Sequence, residues 1–287
     1  MTITNNLGKL EEVPCGQCVD CRLQKAAHWA CRCVHEASLY EKNSFITLTY
    51  APKFLPKDLS INKNDLKNFI RRLRRHFEPK NLCDPYDHIR YYACGEYGEK
   101  GTKRPHYHAL LFNCDFNDKE LLRGSSYRQL KNHFQKGAIC DLYKSKTLAK
   151  IWPYGFSTIG EVTLDSAGYV ARYVMKKITG DLAEEHYKQR TPEFALMSRM
   201  PGIGKPFFDK YWTDIYPKDY FHINGFKKSP PRYYDELLFK INPQMLRDIK
   251  DKRKENIIEV DSKRQYQQRQ IKEKLIKTTL QRSLEND

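Results

Sequence analysis

Apolar and polar positions change their period along the chain, and the changes mark out its elements. Between Arg22 and about Tyr40, Leu23, Ala26, Ala27, Ala30, Val34 and Ala37 recur near helical spacing and predict a helix. Phe45-Ile46-Thr47-Leu48-Thr49-Tyr50 is β-branched and aromatic, which predicts a strand. Asn62 is placed to cap a second helix, whose Leu66, Phe69, Ile70, Leu73 and Phe77 form one apolar stripe. The other face of that helix carries Arg71, Arg72, Arg74 and Arg75, read either as a solvated face or as one that contacts phosphates. His88 to Tyr97 and Pro105 to Phe112 predict the strands of a hairpin, joined by the polar turn-rich segment 98–103. A mixed, mainly helical segment is expected from Asp118 to Leu148, followed by a strand near Phe156 to Val162. Ser166 is expected to cap a further helix that Gly180 ends. Gly and Pro concentrate between residues 200 and 232 and predict loops, while from Pro243 the chain turns charged and Gln-rich.

Composition narrows the partner. Lys and Arg number 51 against 35 Asp and Glu, a formal charge of +16 over 287 residues, and aromatics make up 13%. Such a chain suits a polyanion whose bases stack on rings, the alternative being a merely soluble basic protein. A hydrophobic content of 40% is too rich for a disordered chain. No run approaches the roughly 18 apolar residues of a membrane span, and Met1 to Asn6 lacks the pattern of a signal peptide. An intracellular protein without membrane partners is expected.

His106-Tyr107-His108 lies within the second hairpin strand, where alternation puts both imidazoles on one face about 7 Å apart. If the hairpin turns about Gly101, Glu96 stands opposite His106 on that face. Two imidazoles and a carboxylate with open positions suit Mg²⁺ or Mn²⁺ at a phosphate better than a closed zinc site. A slip of one residue in register would turn Glu96 away and leave Glu99 as the substitute.

The segment from Gly168 to Lys177 predicts a helix with Ala167, Val170, Ala171, Val174 and Ile178 on one side. Tyr169 and Tyr173 fall one turn apart on roughly the opposite side, with Lys176 near Tyr169 in azimuth and Lys177 beyond Tyr173. A phenol beside a metal-bound phosphate is a nucleophile, and an adjacent Lys favours its ionised form. Cys15, Cys18 and Cys21 carry two-residue spacers, with His28, Cys31, Cys33 and His35 following. Three thiolates plus one more ligand, Cys33 foremost, would close a structural zinc site; free thiols are the alternative. An iron–sulfur cluster fits less well because its next Cys would fall at Lys25. Pro201-Gly202-Ile203-Gly204 lacks the ending of a P-loop and reads as a DNA-backbone loop or a plain turn, with Arg199 beside it as a candidate DNA contact.

Phe45 to Thr49, Arg104 to Phe112 and Tyr169 to Lys177 together resemble the three ordered motifs of HUH endonucleases. Their spacing and the tyrosine pair look most like the rolling-circle replication initiators of microviruses. Pro14 to Arg22 and Ser198 to Gly204 are similar to segments of the gokushovirus-type members. The resemblance covers roughly residues 10 to 235. It implies an α+β fold: a central antiparallel sheet flanked by helices, RRM-like, with a Cys-rich N-terminal segment. The expected division is a Cys-rich arm and first helix over 1–44, the endonuclease domain over 45–242 and a charged helical or disordered tail over 243–287. The resemblance also implies a mechanism. His106, His108 and Glu96 hold the metal, and one of Tyr169 and Tyr173 cuts a single-stranded origin to leave a 5′-phosphotyrosine and a free 3′-OH. Lys176 would assist Tyr173, the host polymerase and helicase would extend the strand, and the second tyrosine would release and rejoin it. The setting would be the cytoplasm of the bacterial host. The competing reading is a noncatalytic single-stranded nucleic-acid binding or packaging protein with a zinc-stabilised N-terminus; a transposase or plasmid relaxase is disfavoured by the phage-like segments.

Overall fold

In the computed structural model of the chain, the described residues are 2–4, 10–12, 14–16, 18–84, 87–98, 104–122, 141–176, 182–256 and 270–271. Two short paired strands, β1 (Thr2–Thr4) and β2 (Leu10–Glu12), precede helix α1 (Val19–Ala37). There follow β3 (Asn43–Tyr50), α2 (Lys63–Phe77), the hairpin β4 (Arg90–Tyr97) and β5 (Pro105–Phe112), and then β6 (Lys119–Leu121). Next come β7 (Tyr143–Ser145), α3 (Lys146–Ile151), β8 (Gly155–Gly160), α4 (Leu164–Lys176), α5 (Leu182–Tyr187) and β9 (Phe194–Met197). Helix α6 (Lys205–Ile215), the small hairpin β10 (Phe221–Ile223) and β11 (Phe226–Lys228), α7 (Arg232–Ile241) and α8 (Pro243–Glu255) complete the set.

Seven strands form one antiparallel sheet in the order β6-β7-β8-β3-β5-β4-β9, with β3 and β5 near its middle. Strand alternation gives the sheet two apolar faces. Ile46, Leu48, Ala109 and Leu111 point to one, where the stripe of α2 buries Leu66, Phe69 and Leu73 completely and α3 adds Leu148. Each such side chain contributes about 1.5–3 kcal/mol. Phe45, Tyr92, Leu110 and Phe112 point to the other, under α1 and α4. This is the α+β arrangement expected from the motifs. Asn62 caps α2 as predicted, accepting from Asn64 N–H at 2.9 Å.

Several local expectations are corrected. The segment 118–148 is not mainly helical in its described parts: it supplies the edge strands β6 and β7 and the start of α3, with 123–140 outside the described residues. Ser166 is not the cap of α4 but its third residue; it exchanges bonds with Thr163, whose N–H donates to Ser166 Oγ at 2.7 Å and whose Oγ1 accepts from Ser166 N–H at 3.1 Å. Gly180 lies outside the described residues. The Gly- and Pro-rich stretch expected as loops also holds α6, with Pro206 in its first turn, where a missing N–H costs nothing, and the hairpin β10–β11.

α6, α7 and α8 share a second core of Phe208, Ile215, Tyr234, Leu238, Leu246 and Ile249. The charged start of the tail is therefore docked. Arg253 on α8 reinforces it with bonds of 2.6–2.7 Å to Asp219 and 2.7–3.0 Å to Asp235. A buried ion pair joins this core to the sheet: Arg90 on β4 donates to Glu36 on α1, and the two are 1% and 0% exposed. Both reach the 201–204 turn, Arg90 through Pro201 O at 2.8 Å and Glu36 through Gly204 N–H at 2.6 Å. A Cβ on Gly202 would sit 2.4 Å from the Tyr233 hydroxyl, and Gly204 has φ of 81°. These glycines serve packing. Among the described residues no helix is long and apolar enough to cross a membrane.

Candidate metal centre and tyrosine helix

The hairpin register pairs Glu96 with His106 and Cys94 with His108, while β3 sets Thr49 against His106 and Thr47 against His108. Directly paired residues share a face, so Glu96, His106 and His108 lie together on the α1/α4 side. Tyr107, between the two histidines, points the other way and fixes the rotation of the strand. Its hydroxyl accepts from Asn62 N–H at 2.8 Å and stands 2.8 Å from the Tyr50 hydroxyl, which donates to Asp65 at 2.6 Å. Burial pushes the Tyr107 phenol up to about 12, so this strut stays neutral.

Both imidazoles aim Nε2 at a single oxygen, Oε1 of Glu96, His108 at 2.9 Å and His106 closer still. Their outer nitrogens are held from behind. His106 Nδ1 donates to the carbonyl of Arg104 at 3.1 Å, and His108 Nδ1 lies 3.0 Å from Thr47 Oγ1. A carbonyl only accepts, so Nδ1 of neutral His106 carries the proton and Nε2 is left with a bare lone pair. Glu96 is 2% exposed, and its Oε2 has no hydrogen-bond partner among the described residues. Burial pushes its carboxyl up, but the charges and hydrogen bonds of the two imidazoles more than offset this and hold it at about 2.

The three ligand atoms lie within 4.8 Å of one another. Two imidazole nitrogens, one anionic carboxylate and an orphaned buried oxygen are a donor set that fits a divalent cation with positions left for a phosphate. α4 passes beside them. Ala167, Val170 and Ala171 are buried as the predicted apolar side, and half-buried Tyr169 sets its ring edge-on to His108, centroids 5.1 Å apart, and to Phe45 at 6.2 Å. The backbone of Tyr173 and Lys176 belongs to the same helix; their side chains, and all of Lys177 and Glu99, lie outside the described residues.

A second group forms at the start of α1, where the sulfurs of Cys15, Cys18 and Cys21 also lie within 4.8 Å of one another. Cys15 Sγ is 3.9 Å from Cys21 Sγ and accepts the Cys18 N–H at 3.2 Å. Cys33 does not join them. At 1.5 Å per residue it stands about 18 Å along α1 from Cys21, fully buried in the core, where burial raises its thiol well above the ordinary range.

The arginines of α2 lie across the sheet from the triad. Arg72 donates to Ile151 O at 2.8 Å and Arg74 to Ile89 O at 2.7 Å, so these two brace the helix; Arg71 and Arg75 are exposed, as is Arg199. Thr47 escapes sequence reasoning as a site residue, although Thr47 and Thr49 alternate with Ile46 and Leu48 and so must face the histidine side. Glu36 and Arg90 give no signal, because a buried ion pair between distant segments has no local spacing.

Residues 43–178, which carry the triad and both tyrosines, match a family model of replication-associated proteins of the ORF2 type. Replication-associated protein VP4 of Bdellovibrio phage phiMH2K is 33% identical over 232 residues, covering 80% of this chain and 69% of that protein. Replication-associated protein ORF2 of Spiroplasma virus 4 is 36% identical over 239 residues, 79% of this chain and 68% of that protein. Replication-associated protein ORF4 of Chlamydia phage 1 is 28% identical over 238 residues, covering 80% and 54%. No solved structure matches the chain. The agreement spans both the metal strand and the tyrosine helix, and the chain belongs to the ORF2-type family of replication-associated proteins.

Proposed function

We propose that this protein starts rolling-circle replication by cutting a single-stranded phage origin through tyrosine transesterification, in the cytoplasm of the bacterial host. The observation that carries the reading is the convergence of His106 and His108 Nε2 on buried, anionic Glu96 beside the helix of Tyr169 and Tyr173. Mg²⁺ or Mn²⁺ bound by His106, His108 and Glu96 would supply Lewis-acid polarisation of the scissile phosphate.

The chain's own residues do the rest. A tyrosine oxygen attacks the phosphorus, the bond to O3′ breaks, and the phenol proton leaves with the 3′-OH. One phosphoester replaces another, so no nucleotide is consumed, and the 3′-OH serves as primer for the host polymerase and helicase. The second tyrosine repeats the cut on the regenerated origin, and the released 3′-OH reverses the first step to close a circle. Lys176, three residues after Tyr173, favours the ionised phenol. Cys15, Cys18 and Cys21 bind Zn²⁺ apart from the reaction.

End-labelled single-stranded oligonucleotides tiling the encoding genome test this reading. Cleavage of particular tiles with Mn²⁺, abolished by EDTA and by Glu96→Gln, is expected. Tight binding to every tile without cleavage, with duplex and supercoiled DNA also uncut, would instead mark a noncatalytic single-strand binding or packaging protein.

A further inference from the structure

The register across four strands sets Glu96, His106, Thr49 and Phe156 in one row: Glu96 on β4 pairs with His106 on β5, His106 with Thr49 on β3, and Thr49 with Phe156 on β8. All four side chains therefore rise from the face that carries the metal ligands. At the other end of this face, Phe45, Leu110 and Phe112 are buried by α1 and α4. At the row itself the sheet opens: the His106 side chain is 18% exposed, Thr49 is half-buried and Phe156 is 68% exposed.

An exposed Phe on an interior strand of a seven-stranded sheet needs a reason, because burial there is the default and a Thr would serve the pleat equally well. Nothing in the strand forces the ring outward. Neighbouring Ile159 enters the opposite core in the normal way, and Gly155 is glycine because a Cβ would lie 2.2 Å from Thr49 O. With strands about 4.8 Å apart, Phe156 stands two strands, about 10 Å, from His106. A flat ring at that distance from a phosphate-polarising centre matches an unstacked nucleobase, since every base has a face to offer whatever its sequence.

We infer that Phe156 is a base-stacking platform for single-stranded DNA, a positioning residue that seats a nucleotide next to the one whose phosphate meets Glu96, His106 and His108. This deepens the proposed function and rests on it for the word phosphate alone, since stacking itself needs no metal. The Thr49 and Thr158 side chains border the ring without covering it, so the platform takes a flexible single strand rather than a stacked duplex.

The test is binding of the full chain, in EDTA, to a fluorescent oligothymidylate and to an abasic oligonucleotide of the same length. Phe156→Ala is expected to weaken oligothymidylate binding at least about fivefold and leave abasic binding unchanged. Phe156→Trp should restore affinity, with indole fluorescence quenched on binding oligothymidylate only. Phe226→Ala, an equally exposed aromatic on β11 (69%), serves as the control and should bind as the wild type does. On any cleaved tile, Phe156→Ala should raise KM and leave kcat near its starting value. Equal affinities of Phe156→Ala and wild type for both probes overturn the platform, whether or not the protein cleaves. A base-dependent loss in a protein that cleaves nothing upholds the platform and refutes the nicking reading alone.

Discussion

Thr47 Oγ1 lies 3.0 Å from Nδ1 of His108, the ring nitrogen that faces away from Glu96. A proton on that nitrogen, donated to the threonine, leaves Nε2 bare for a cation and stops the ring from turning. Groups that orient metal ligands in this way typically contribute 10–100-fold to affinity or activity. Thr47→Val keeps the shape of the side chain and removes the acceptor. It is expected to shift the Mn²⁺ midpoint of cleavage upward by about 10–100-fold, with the thermal midpoint little changed, in a metal titration of the cleavage rate.

The Glu36–Arg90 pair predicts a different kind of loss. Both side chains are almost wholly buried, and each also holds the 201–204 turn. Breaking such a pair strands a charge in the core and costs about 3–5 kcal/mol. Arg90→Met should therefore lower the denaturant midpoint strongly, and Arg90→Met with Glu36→Gln should recover part of it. Equal stability of Arg90→Met and wild type in a urea titration would contradict this account of how α1, β4 and the turn are joined.

How far the sequence foretells these features depends on range. The triad is legible because the hairpin is local: strand alternation, a polar loop around Gly101 and the interval from Glu96 to His106 are enough to predict the register that β4 and β5 adopt. The apolar side of α4 follows from its 3.6-residue period in the same way. β9 goes unseen, because Phe194–Met197 is short and becomes a strand only by pairing with β4 about a hundred residues earlier. The small core under α6, α7 and α8 is hidden by Gly and Pro, which mark turns but not the short elements between them. The fourth cysteine fails for a geometric reason: composition places Cys33 near Cys21, and the helix carries it away.

His35 predicts a pH dependence. It is 5% exposed, lies 2.9 Å from the Tyr234 hydroxyl through Nδ1 and stacks on Phe207 at 3.9 Å. Burial lowers its pKa from 6.5 to about 4. Between those values the unfolded chain is protonated and the native one is not, so stability is fully present above pH 6.5 and falls as the pH drops toward 4. This residue alone adds a slope of at most about 1.4 kcal/mol per pH unit in that window. His35→Phe should flatten the pH dependence of the unfolding free energy there, and an unchanged slope would contradict the assignment.

The thiols of Cys15, Cys18 and Cys21 predict a metal that is independent of the reaction. Protein isolated without chelators should carry one Zn²⁺ per chain, and Cys18→Ser should lose it while Mn²⁺-dependent cleavage persists. Elemental analysis of both proteins decides the matter; zinc at equal content in wild type and variant would place it elsewhere.

The central claim is that a tyrosine of α4 becomes bonded to DNA. The most direct measurement is mass spectrometry of the covalent protein–DNA product formed with a cleaved tile and Mn²⁺, in wild type, Tyr169→Phe, Tyr173→Phe and the double variant. The account predicts a 5′-phosphodeoxynucleotide on Tyr169 or Tyr173, formed by at least one single variant and absent from the double variant and in EDTA. An adduct that survives in the double variant, or cleavage that leaves free 5′-phosphate and no adduct in wild type, would contradict it.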